Sequence, residues 1–228
     1  MKARFLAALL LTLAPAGHAE TPRFRVGPSS ELNEPGKKQV STEAQQLAKT
    51  AMLAMAKGDL AAAQRDFEKV LILAPDNVAT TINLGLVAYR QKRYAAAQKH
   101  LKSAIRTQPE SGLGWLILGV VHYDQDQLDA ALAALAQAAL LEPKNATVHQ
   151  YLGVTVGKKG WLSGAEDELR KAIEIDPGYA EAHFNLAVFY LQRTPPSIEL
   201  ARRHYQKALD LGAAPDADVA RSLAEPKE

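Results

Sequence analysis

Cysteine is absent from all 228 residues. That excludes disulfides, thiolate metal ligands and a thiol nucleophile. Aromatic residues make up only 6%, too few for a typical sheet sandwich, and alanine is abundant instead. Such a mix suits close helix-on-helix packing. The patterns that carry chemistry are missing too: there is no HExxH pair, no glycine-rich phosphate loop and no serine elbow. Gly112 and Gly114 open a helix pattern and follow no strand, as a nucleotide motif would require. Neither sign of charge dominates, with 27 Lys+Arg against 25 Asp+Glu. Catalysis has no visible site, and no cofactor or metal is implied.

Beyond the first nineteen residues no apolar run reaches the length of a membrane span. Residues 1–19, MKARFLAALLLTLAPAGHA, read as a signal peptide. Lys2 and Arg4 form the basic region, Phe5 to Ala14 the apolar core, and Gly17-His18-Ala19 the small-x-small cleavage site. As a retained anchor the run is short, since about ten helical residues span roughly 15 Å of a ~30 Å bilayer core. The expected protein is therefore exported, periplasmic in a Gram-negative bacterium and otherwise secreted, with no membrane span in the mature chain. No cysteine follows the cleavage site to carry a lipid. Cleavage removes two basic residues and leaves 25 against 25, a neutral chain that disfavours nucleic acid as partner.

What is present is a repeat. Ala51, Gly85, Gly119, Gly153 and Ala187 stand 34 residues apart. Ala63, Ala97, Ala131 and Ala165 keep the same step, as do Pro75, Pro109, Pro143 and Pro177. Bulky residues recur in phase: Leu60, Tyr94, Leu128 and Leu162, then Phe67, Leu101, Leu135 and Leu169. Five sets sharing one period do not arise by chance. Each unit reads as two helices. In the second, Thr81, Leu84, Gly85 and Ala88 follow one helical face, and Tyr94, Ala97, Leu101 and Ala104 another. Proline then closes the unit. Small residues fall where the two axes cross, so the backbones can approach closely.

This pattern resembles the tetratricopeptide repeat family, whose unit is a helix-turn-helix of the same length. The resemblance implies an all-α fold, a right-handed α-solenoid of about five stacked helix-turn-helix repeats with a short C-terminal capping helix. The units are expected at about 44–77, 78–111, 112–145, 146–179 and 180–213, within a repeat domain of 42–213. In the fifth, "QRTPPSI" makes the turn two residues longer, so Ile198, Ala201, Tyr205 and Ala208 arrive two late. Residues 20–41 read as a flexible linker and 214–228 as a capping segment and tail. Thr42 with Gln45 suggests a capping box, Asp129 a cap for the helix of the third unit, and Gly212 a C-cap. Asn145-Ala146-Thr147 matches a glycosylation triplet but reads better as a turn and cap.

The histidines divide by place. His149 and His183 occupy the place of Trp115 and are expected to fill a slot for a flat ring, not to bind metal. His122 is expected in the core, and His100 and His204 toward solvent. Charge is unevenly spread: Arg90, Lys92, Arg93, Lys99, Lys102 and Arg106 make the second unit basic, whereas 107–143 contains no Lys or Arg. The plain reading is a solvated face; the alternative is a docking surface for a charged partner.

A second apolar stripe runs along the first helices: Met52 and Met55, then Ile82, Leu86 and Tyr89, then Leu116, Val120 and Tyr123. It thins to Gln150 and Val154 and returns with Phe184 and Val188. In the family such places line the concave face where partner peptides lie. Some members grip a terminal carboxylate there, but Ala48, Met52, Leu113 and Ile117 stand in those places here and only Asn83 agrees. The resemblance therefore implies an apolar or amphipathic segment of another protein as partner. Burial of the stripe between neighbouring first helices competes with that reading. The expected function is a non-catalytic extracytoplasmic scaffold. The alternative is a self-associating structural protein whose groove is covered by a second copy or by its own linker through Phe24 and Val26.

Overall fold

The computed structural model describes residues 41–224. The expected signal peptide, the linker residues Phe24 and Val26, and residues 225–228 lie outside them. The described residues form eleven α-helices and no strand. They divide into two bodies. Residues 41–125 hold α1 (Thr42–Ala56), α2 (Leu60–Leu73), α3 (Val78–Arg90), α4 (Tyr94–Thr107) and α5 (Gly112–Asp124). Residues 126–224 hold α6 (Leu128–Leu141), α7 (Ala146–Lys158), α8 (Leu162–Ile175), α9 (Ala180–Gln192), α10 (Ile198–Asp210) and α11 (Ala217–Ala224). Each expected helix is there, and the architecture is an all-α helical repeat.

The crossing of paired helices depends on the small residues. A Cβ added at Gly85 would sit 2.7 Å from Cγ of Leu101 and 3.5 Å from the Ala97 carbonyl. At Gly153 it would meet Cγ of Leu169 at 2.9 Å and the Ala165 carbonyl at 3.1 Å. α3 therefore lies on α4, and α7 on α8, at the distance glycine allows. Around these crossings Ala97, Leu101, Ala165 and Leu169 are fully buried, each large side chain contributing about 1.5–3 kcal/mol of transfer free energy.

The turns repeat as closely as the helices. Ala74, Gln108, Glu142 and Asp176, each before a unit-closing proline, adopt φ between −127° and −140°, the extended backbone proline imposes on its predecessor. Asn77, Ser111 and Asn145 then cap α3, α5 and α7 by accepting backbone N–H groups. Inside each of the first four pairs the chain reverses through one left-handed residue at a constant place. Gly58, Lys92, Asp126 and Gly160 have φ of 81°, 58°, 57° and 84°.

Two caps differ from expectation. Ser41, not Thr42, caps α1: its hydroxyl accepts the Ala44 N–H at 3.2 Å, three residues ahead, where a cap must reach. Asp129 lies inside the first turn of α6, whose N-cap is Gln127, and its carboxylate pairs instead with Lys159. At the other end Gly212, φ 94°, stops α10. The hydroxyl of Tyr205 then donates to the Asp216 carbonyl at 3.0 Å and accepts the Asp216 N–H at 2.8 Å. Asp216 caps α11, and Val219 is buried beneath it. The opposite end has no such cover among the described residues. Leu53 is 53% exposed, while its counterparts Val87, Val121, Thr155 and Phe189 are all buried.

Candidate binding face and buried polar clusters

α1, α3 and α5 carry the stripe of residues 41–125. Met52 and Tyr89 are half-buried, whereas Met55, Ile82, Asn83, Leu86, Leu116, Val120 and Tyr123 are buried. Ile82 shows why: its Cδ1 comes within 3.7 Å of where a Cβ on Gly114 would stand, so α3 rests against α5. First helices bury one flank on their neighbours, and most of the stripe belongs to that flank. In residues 126–224, Gln150, Val154 and Val188 are buried and Phe184 is half-buried. Phe184 lies 6.3 Å, ring centre to ring centre, from Tyr205 of α10.

Two features of this face are polar. The Tyr89 hydroxyl donates to Asp124 at 2.6 Å. Burial, with the Asp124 carboxylate beside it, holds that phenol protonated far above its usual range. Six residues earlier on α3, the amide oxygen of Asn83 is buried and has no hydrogen-bond partner among the described residues. Leaving such an acceptor unpaired costs about 1–3 kcal/mol.

The flat-ring slot is real. Trp115 Nε1 donates to the Pro109 carbonyl at 2.8 Å, and His149 Nε2 meets the Pro143 carbonyl at 3.0 Å. The ring nitrogen ties the first helix to the turn before it. His149 also reaches Glu168 through Nδ1 at 2.7 Å. Burial alone would raise the Glu168 carboxyl, but hydrogen bonds from Lys171 and His149 hold it below its usual value. His122 is buried, as expected.

His204 is not directed to solvent. Its Nδ1 lies 2.9 Å from Nδ1 of the buried His183, and its ring 5.6 Å from that of Tyr190. One imidazole donates and the other accepts. Burial depresses His204 to about 4, and His183, Arg170 and Arg203 push the same way against Glu166. His183 is lowered by burial and by Lys207, against the Pro177 carbonyl. Next to the pair, Glu166 is buried, accepts the Tyr190 hydroxyl at 2.8 Å and Arg170 at 2.6 Å, and is also paired with Arg193. Sequence reasoning missed this cluster because its members come from three helices. Among the described residues no group of three His, Asp or Glu could hold a metal ion, and no helix is long and apolar enough to cross a membrane.

Family models confirm what the repeated turns and crossings describe. Two tetratricopeptide repeat models match, one over residues 49–97 and 83–147 and the other over 168–210. The chain belongs to the tetratricopeptide repeat family. Among solved tetratricopeptide repeat structures, YrrB, described as having an unusual peptide-binding site, is 26% identical with a TM-score of 0.59, covering 77% of this chain and 88% of that one. PilF of Pseudomonas aeruginosa aligns with a TM-score of 0.72 at 16% identity, covering 81% and 82% of the two chains. MamA of Desulfovibrio magneticus RS-1 aligns with a TM-score of 0.65 at 17% identity, covering 75% and 96%. The last two establish the fold alone. No curated protein sequence matches this tetratricopeptide repeat chain.

Proposed function

We propose that the protein is a non-catalytic scaffold, exported from the cytoplasm, that holds an apolar or amphipathic segment of a partner protein on the first-helix face of residues 41–125. The observation that carries this reading is that Met52 on α1 and Tyr89 on α3 stay partly open beside the buried part of the apolar stripe, as side chains of a groove wall would for an apolar or amphipathic segment. An amphipathic ring such as Tyr89 is a common anchor at binding surfaces. The peptide-binding site ascribed to YrrB makes the same use of the fold a natural one. Burial of most of the apolar stripe narrows the face to these residues and their rim.

A photo-crosslinking residue placed at Met52, in cells carrying the full chain, would identify the partner. Its binding would then be measured with Met52→Ala and Tyr89→Ala. Each change should weaken binding by about 1–3 kcal/mol while the helical circular dichroism spectrum persists. Unchanged affinity in the folded double variant would overturn the proposal.

A further inference from the structure

Across the repeats one place always faces outward on the second helix of each pair. It is filled by Arg65, Glu68 and Ile72 on α2, and by Lys99, Lys102 and Arg106 on α4. On α6 it holds Ala133, Ala136 and Leu140, on α8 Asp167, Arg170 and Glu174, and on α10, two residues late, Arg203, Gln206 and Asp210. All fifteen side chains are exposed. Solvent tolerates nearly any residue there, and four of the five helices accordingly show mixed or apolar sets. Only α4 has three cations.

We propose that this outward face of α4 is a second docking surface, distinct from the first-helix face, and that it takes an acidic segment of a partner polypeptide. Lys99, Lys102 and Arg106 form no hydrogen bond or ion pair among the described residues, and Lys92, exposed just before α4, forms none either. Residues 77–109, which hold α3 and α4, contain no Asp or Glu. By contrast Lys158, Lys159, Arg170, Lys171, Arg193, Arg202 and Arg221 are all paired. The field is felt locally: burial lowers His100, and Lys99 and Arg93 lower it further against Glu68. From Lys99 to Arg106 the helix rises about 10 Å, so carboxylates spaced one turn apart on a partner helix would meet the cations in turn.

The surroundings select a polypeptide over the other anions. The large exposed apolar side chains lie elsewhere, so a lipid surface finds nothing on α4 to insert. Tyr94 is partly buried and its ring lies 6.2 Å from that of Tyr89, leaving no free aromatic on which a base could stack. A helix-borne row of cations without apolar or aromatic companions fits the carboxylates of a protein.

The test uses the full chain and a fluorescent helical peptide with glutamates every third or fourth residue on an alanine framework. Binding is read by anisotropy against the same peptide with glutamines. The acidic peptide should bind at least about tenfold tighter, and lose that advantage between about 50 mM and 300 mM salt as screening grows. Lys99→Glu/Lys102→Glu/Arg106→Glu, and the milder glutamine triple, should abolish the difference. Lys144→Glu/Arg203→Glu/Lys207→Glu, reversing as many charges elsewhere, should retain it. Because the α4 residues are exposed, both triple variants should melt as wild type does. Equal binding of both peptides, or full binding by the α4 variants, overturns the proposal. So does an oligothymidylate of equal charge, or vesicles of anionic phospholipid, binding at α4 as tightly as the peptide. The Met52→Ala/Tyr89→Ala variant should bind the acidic peptide normally, which separates this outcome from the fate of the first-helix face.

Discussion

Residues 41–125 and 126–224 are built from the same repeat and treat charge in opposite ways. The first set has ten Lys and Arg against seven Asp and Glu, the second ten against thirteen. Between described side chains Lys69–Asp66 is an ion pair of the first set, and seven pairs of Lys or Arg with Asp or Glu belong to the second. The difference reaches the interior. At one place in the repeat, residues 41–125 carry Gln98, whose amide donates to Gln125 at 2.6 Å, while residues 126–224 carry Glu166 with its two arginines and Tyr190. The helix crossings need only small and bulky residues in alternation, so they constrain neither choice. Stability can be drawn from ion pairing in one region and leave the cations of another free for a partner.

Replacing the two equivalent residues by leucine is the sharpest way to break the comparison. Glu166→Leu removes the acceptor shared by Tyr190, Arg170 and Arg193. Removing one partner of a buried pair costs 3–5 kcal/mol, but these arginines are partly exposed and can return to water, so a loss of about 2–3 kcal/mol is expected. Gln98→Leu gives up one half-buried amide hydrogen bond, and about 1 kcal/mol or less should follow. Urea melts of the full chain with both single variants would measure the two. Equal losses would show that the Glu166 cluster is no more than surface pairing.

The parts of this difference that the sequence revealed and those it hid follow one rule. Crossings were legible because Gly85 with Leu101, and Gly153 with Leu169, repeat at a constant step and each needs the other. The flat-ring slot was legible for the same reason, since Trp115 and His149 answer to a carbonyl at a fixed separation. His204 stands six residues into α10 as His100 does into α4, a place half-buried in both, and helical spacing alone does not separate such a flank from a solvent-facing one. The binding face was only half legible. A stripe at helical spacing has the same pattern whether it meets solvent or a neighbouring helix, so burial of Ile82 and Val120 could not be told from exposure. The unpaired oxygen of Asn83 has no sequence signature at all.

Acid should act on residues 126–224 through the His183–His204 pair. His204 is held neutral in the folded state, at about 4 against an ordinary 6.5. A histidine depressed on folding lends its stability above 6.5, and that contribution drains away as pH falls from 6.5 toward 4, because the unfolded chain takes the proton first. The ring is only about half-buried, so after allowing for solvent screening about 1–2 kcal/mol should be lost across that window. His204→Gln removes the group without disturbing His149, whose neighbours differ. The difference between wild-type and variant stability, followed by urea melts from pH 7.5 to 4, should therefore narrow toward acid by about that amount. A constant difference would mean that the His183–His204 pair does not titrate as a buried unit.

The smallest effect tests the turn, where the two regions use the same backbone with different residues. At the left-handed place Lys92 serves α3 and α4, and Gly160 serves α7 and α8. A side chain there crowds the following carbonyl, which for L-residues costs about 1 kcal/mol, and glycine avoids it. The Lys92 side chain is exposed and unpaired, so its removal sacrifices no ion pair among the described residues. Lys92→Gly should then stabilise the chain by up to about 1 kcal/mol, reduced by the added freedom of glycine in the unfolded state. Gly160→Ala should destabilise by about 1 kcal/mol, although nothing lies within 4 Å of the added Cβ. Opposite signs at equivalent places would tie both effects to backbone conformation, since neither side chain has a packing role. If Gly160→Ala were neutral, the conformation of that turn would not be setting the stability of the hairpin, and the matched φ angles of the four turns would have no energetic weight.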